Sequence, residues 1–270
     1  MTNAEKIAEW RKQYPETILN KDILLEILGV DSLAGINLSG ADLTDAYLKD
    51  AILTNSNLTK ATLKFTNLEG CNLIGSDLSW SHLTSVNLSL ATLQDAILRG
   101  ATLRDSCLKG CDLEKATLTE AILSGSDLSG SILTLANLRR SLVVNSNLAG
   151  ADLTHANLLC SNLSYSNLGC AYLNYTNLEG ADLNNTELGG ILQLTGVHNY
   201  QIILLPTEQG WQINIGCWWG DLDELKKLIA QDTWIESKGK QVIEQRPYME
   251  NLIHFIEAYI ALKSAENREA

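Results

Sequence analysis

Residues 146–165 divide into four blocks of five, SNLAG ADLTH ANLLC SNLSY. In each block the first place is Ala or Ser, the second is Asn or Asp, the third is Leu, and the last two vary. Followed outward in both directions, this frame holds from Ile36 to Gly190, 31 blocks with no insertion or deletion. The third place is Leu in every block but one, which holds Val143. The first place is Ala, Ser, Thr, Cys or Val in every block after Ile36, and the second is Asn or Asp in 17 of the 31. An alternation of small, polar and Leu puts two side chains on one side of an extended segment and one on the other. A period of five suits neither a flat strand nor one face of an α-helix. Each block must therefore turn, and the Gly, Asn, Asp and Ser of its last places permit turning. The expected fold is an all-β solenoid whose lumen takes one Leu and one small residue from each block.

This A(D/N)LXX pattern resembles the pentapeptide-repeat family, and it covers residues 36–190, more than half of the chain. The resemblance implies a right-handed quadrilateral β-helix with four blocks per coil, a number that the residues alone do not fix. On that geometry the blocks make nearly eight coils, a rod roughly 37 Å long at about 4.8 Å per coil. Residues twenty apart then lie above one another. Asn137, Asn157 and Asn177 form such a ladder, and their amides are expected to bond neighbouring turns or each other.

A solenoid needs a cap at each end. Residues 1–35 read as a helical cap. Within it residues 3–14 form one helix with Asn3 as N-cap and Ile7 and Trp10 on its apolar stripe, ended by Pro15, and Ile23 to Leu28 form a second apolar stretch closed by Gly29. Residues 196–270 read as a small α+β module. Tyr200–Leu205 and Trp211–Ile215 are its strands. Asp221 to Glu224 is a capping box, and Leu222, Leu225, Leu228 and Ile229 share one helical face. A last helix begins near Pro247. It is apolar over much of its circumference, hence either well buried or dimerising. In the second case Ile253, Ile256 and Ile260 mark a homodimer face. The stretch around Gly216-Cys217-Trp218-Trp219 is similar to tails appended to some bacterial pentapeptide-repeat proteins.

Chemistry is absent from the pattern. The six cysteines form no CxxC pair, and Cys71 and Cys111 fall on the inward small place as filler. The four histidines are dispersed, with no H-x-E or HExxH context, and no Gly-rich loop follows a strand into a helix. No catalytic residue, metal or cofactor is expected, and the chain reads as no enzyme. The formal net charge of −12 argues against direct nucleic-acid binding. No apolar run reaches membrane length and the N-terminus is too polar for a secretory signal, so a soluble, cytoplasmic protein off the membrane is expected.

The outward residues are more informative. With four blocks per coil, one face and its edge bring together Lys60, Lys64, Phe65, Trp80, His82, Arg99 and Arg104, an aromatic and basic patch of the kind that anchors a protein partner. Two functions follow. One is a non-enzymatic scaffold or regulator that binds a partner protein through a rigid β-helix surface. The alternative comes from the resemblance: some family members mimic duplex DNA and protect DNA gyrase. Against it, acids in the repeats are interleaved with Lys49, Lys109, Lys115, Arg139 and Arg140.

Overall fold

In the computed structural model the second place of each block makes a parallel one-residue bridge to the second place 20 residues on, from Asn37–Asn57 to Asn167–Glu187. Twenty residues are four blocks, so each coil has four sides. The described residues are 1–174, 176–178, 181–183, 185–187, 192–197, 200–207, 210–215, 218–230 and 253–260. They divide into two compact units, residues 1–172 with 176–187, and residues 173–175 with 188–270.

Local chemistry makes the turn at every corner. The side-chain oxygen of Asn or Asp in the second place accepts from the backbone N–H two residues on, as in Asn57 with Thr59 at 3.0 Å and Asp77 with Ser79 at 2.8 Å. From Asn37 to Asn167 every Asn and Asp in the second place makes this bond, fifteen in all. It is an Asx-turn inside the block. A bond between ladder neighbours of the kind expected runs from the Asn147 amide to Asp127 at 3.1 Å. A turn bond then closes the corner, for example Ala41 N–H to Leu38 C=O at 3.0 Å. Among the described residues every fifth place takes a left-handed backbone, at 20 non-glycine residues and at glycines such as Gly40 and Gly150. A negative φ followed by a positive one is the type II pattern. The Asx bond holds the turn from one side and the coil above from the other, so side chains as large as Trp80 and Leu90 sit in a conformation they disfavour alone.

Inside, the Leu column is sealed, and Leu38 through Leu163 are at most 1 % exposed apart from Val143, which is also fully buried. Many hydroxyls in the small place bond inward-facing carbonyls, as Thr66 does to Leu43 at 2.7 Å, whereas those of Ser56 and Ser141 are buried without a partner among the described residues. Cys71 and Cys111 use the same geometry toward Leu48 and Leu88. Burial pushes both thiols up to about 12, which leaves them protonated and unreactive.

The lower edge of the first coil is covered from the N-terminal side. Helix α1, Asn3–Gln13, is capped by Thr2, which exchanges bonds with Glu5 in a capping box. Asn3 therefore lies inside the helix rather than at its cap, and its amide donates to Asn37 C=O at 2.9 Å. Ile7 is fully buried, whereas Trp10 is half-buried and rests on Tyr14. Arg11 reaches two edge carbonyls at once, Asp42 through Nε at 2.9 Å and Thr44 through Nη2. Burial raises the Asp42 carboxyl, but the Thr44 hydroxyl and N–H and the Arg11 charge outweigh it and hold the group below its usual value. Helix α2, Lys21–Leu28, starts at Asn20 and stops at left-handed Gly29. Just before it, Leu19 C=O accepts from Tyr47 N–H at 2.8 Å, continuing the ladder on one side by a single rung.

The second unit holds a five-stranded sheet in the order β1 (Leu173–Asn174), β2 (Leu192–Val197), β3 (Tyr200–Thr207), β4 (Gly210–Ile215) and β5 (Trp218–Gly220). The first pair is parallel and the others antiparallel. Strand β2 is not among the strands expected from the sequence, which are Tyr200–Leu205 and Trp211–Ile215. Helix α3, Leu222–Ala230, begins with the reciprocal Asp221–Glu224 box. Helix α4 covers residues 253–260, and the start assigned near Pro247 lies outside the described residues. Leu204, Ile213, Leu225, Ile256 and Tyr259 are buried, and Tyr259 meets Trp211 edge-on at 5.3 Å. Ile256 has no exposed surface in the single chain, which makes it a core residue of this unit and removes it from an open dimer face. Ile253 and Ile260 are half-buried.

Candidate functional site

With four sides established, the outward residues can be placed. Face 1 holds the blocks that begin at Ile36, Ser56, Ser76 and every twentieth residue after them, and face 2 holds the blocks that follow each of these. The corner between the two faces carries the column Gly40, Lys60, Trp80, Gly100, Glu120, Arg140 and Cys160.

Trp80 is 49 % exposed and holds φ at +60°. Its ring leans one coil upward and lies against Gly100, where an added methyl group would come within 2.3 Å of the ring. Other corners repeat this arrangement, with Asp50 over Gly70 and Leu90 over Gly110. The glycine above is what lets so large a corner side chain settle on the backbone. Because Trp80 is held before any partner arrives, little side-chain freedom remains to be lost on binding.

Around it, Lys60 is exposed on the same corner one coil below, and Arg99 is exposed beside the corner one coil above. Arg99 approaches Glu120 at 3.9 Å, a long surface pair worth little. Lys64, His82 and Arg104 are exposed on face 2. Phe65, at 61 % exposure, stands on the far corner of that face. The seven residues named from the sequence thus span the edge of face 1 at Arg99, the corner, face 2 and the next corner, and Phe65 is separated from Trp80 by the width of face 2.

Phe65 has a second neighbourhood. It lines an open depression with Ile18, Tyr47, Asp45 and Asn67. The sequence gives no signal for this grouping, because Ile18 arrives only through the Leu19–Tyr47 rung. Among the described residues no three His, Cys, Asp or Glu side chains gather in a metal-binding group, and no helix is long and apolar enough to cross a membrane.

The family description "Pentapeptide repeats" matches in 8 copies over residues 36–75, 63–100, 96–134, 131–169 and 161–190. No curated protein matches the chain. Among solved structures the chain is similar to HetL, a pentapeptide repeat protein involved in heterocyst differentiation regulation from the cyanobacterium Nostoc sp. strain PCC 7120. The two are 29% identical over 63% of this chain and 93% of that one, with a TM-score of 0.38. It is also similar to QnrB1, a plasmid-mediated fluoroquinolone resistance protein, at 21% identity over 56% of this chain and 77% of the other, TM-score 0.46. A third is Rfr23 from the cyanobacterium Cyanothece 51142, at 26% identity over 57% and 85%, TM-score 0.20. The match to the family's repeat covers residues 36–190 without a gap, and the chain belongs to the pentapeptide-repeat family.

Proposed function

We propose that this chain is a non-enzymatic scaffold or regulator that binds a partner protein through the outer surface of its coil, centred on Trp80, in the cytoplasm. The observation that carries the reading is the Trp80 ring, half-exposed yet seated on Gly100. A rigid aromatic group with cationic neighbours is the usual composition of a binding hot spot. The alternative, imitation of duplex DNA for gyrase, is favoured by a different observation. The sides away from Trp80 carry Asp112, Asp127 and Asp152 in outward second places, although Lys49–Glu69 and Lys115–Glu114 pairs interrupt the negative surface there.

One experiment separates the two. A photo-crosslinking residue is introduced in place of His82, and in a second protein in place of Glu114, and both are irradiated in the source cells. A discrete protein adduct from position 82 and none from 114 is expected. Adducts from 114 alone support DNA imitation, and adducts from neither position contradict both readings.

A further inference from the structure

The coil geometry sorts charges that look interleaved along the chain. Between residues 56 and 175 there are eight bases. Six of them, Lys60, Lys64, Arg99, Arg104, Arg139 and Arg140, stand on face 2, on its corner with face 1 or in the face 1 place just before that corner, accompanied there by two acids, Glu120 on the corner and Asp105 at the far end of face 2. The remaining positions hold two bases, Lys109 and Lys115, against seven acids. All six of the first group are exposed. Among the described residues five of them, all but Arg99, make no ion pair, whereas Lys49 and Lys115 elsewhere on the coil are paired to Glu69 and Glu114 at 2.9 and 2.8 Å. One side of the coil therefore presents bare cations, and the other sides carry acids.

The cations are also spaced. They come as pairs on the second, fourth and sixth coils, Lys60 with Lys64, Arg99 with Arg104, and Arg139 with Arg140. Alternate coils are about 9.5 Å apart. Two turns of an α-helix, seven residues, advance about 10.5 Å. Apolar groups fill the intervals, with Trp80 on the third coil and Ile122 on the fifth, Ile122 stacking directly under Leu142.

We propose that face 2 and its Trp80 corner form a docking track for an acidic amphipathic helix of a partner protein, lying along the coil axis. Its carboxylates recur every seventh residue and meet the three cationic pairs, and its apolar residues meet Trp80 and Ile122. The proposal rests on the protein-binding reading above and adds the chemistry and direction of the partner. Charge complementarity selects this occupant. A nucleic acid would meet the same cations but be repelled by the acids on the other sides and by a net charge of −12.

The test uses the full chain and a fluorescent synthetic helix bearing Glu at every seventh position with Leu between, followed by anisotropy. Binding is expected to weaken about tenfold or more in Arg104→Glu/Arg139→Glu and to fall with added salt. Glu114→Lys, on the far side, is expected to leave it unchanged, and all three proteins are expected to melt alike because the substituted side chains are exposed. Four results overturn the proposal: no binding at about millimolar protein, equal binding by the double variant, equal binding by a peptide with Gln for Glu, or a DNA duplex that binds as tightly as the peptide. Self-association lost in the double variant assigns the track to a second copy and also overturns it. If the adduct at position 82 persists while the double variant binds normally, the protein-binding reading stands and the track alone fails.

Discussion

Leu113→Ala is expected to lower stability by about 2–5 kcal/mol, the largest single-residue effect on this fold. Leu113 is fully buried, with Leu93 and Leu133 in the same column on the coils below and above. Its N–H is fixed to Ile132 C=O at 2.7 Å, so the backbone cannot follow a shrinking side chain. Collapse would require two coils to approach more closely than their bridges permit, at about 4.8 Å apart. The cavity therefore stays open, which places the cost toward the upper part of the range. The next residue gives the contrast. Glu114 faces outward and pairs only with exposed Lys115, so Glu114→Ala is expected to change stability by less than about 0.5 kcal/mol. Denaturant unfolding of the two variants checks the assignment of inside and outside, and equal losses contradict it.

Arg11→Ala is expected to cost about 2–3 kcal/mol, because its guanidinium bonds the carbonyls of both Asp42 and Thr44. Those carbonyls lie at the lower edge of the first coil, where no earlier coil exists to pair them. Removing the side chain leaves an open edge that another chain can use. The loss should thus appear twice, as a lower unfolding midpoint and as concentration-dependent association in sedimentation. Arg11→Lys is expected to restore little, since an ammonium group lacks the planar fork that reaches two acceptors together. A monomeric Arg11→Ala protein of full stability would show that α1 does not protect the edge.

The block frame made much of this structure legible. Leu in the third place and a small residue in the first predicted the lumen residue by residue, from Leu38 to Leu163, because volume and alternation are local properties. Other features depended on facts that no single block contains. The signature Asn and Asp read as ladder residues, yet they mostly close their own turns, since the N–H two residues on is nearer than the next coil. Arg11 read as one more charge on a polar helix face, and its role depends on where α1 meets the first coil. The cations of face 2 sit among acids in the sequence and separate from them only when every twentieth residue is stacked. Trp80 was legible as an outlier among turn residues, but its seat on Gly100 was not, because the two are a full coil apart. In the second unit, Ile256 fitted a helix face equally suited to burial or pairing, and the packing of the unit decided for burial.

The central claim is that Trp80 anchors a partner protein, and it is tested most directly by titrating the protein captured at position 82 against Trp80→Ala. The account predicts a loss of about 2 kcal/mol, roughly thirtyfold in affinity. It also predicts an unchanged melting curve, because Trp80 occupies a solvent-facing corner where glycine stands in the neighbouring Gly40 and Gly100 positions of the same column. Full affinity in the folded Trp80→Ala protein would contradict it.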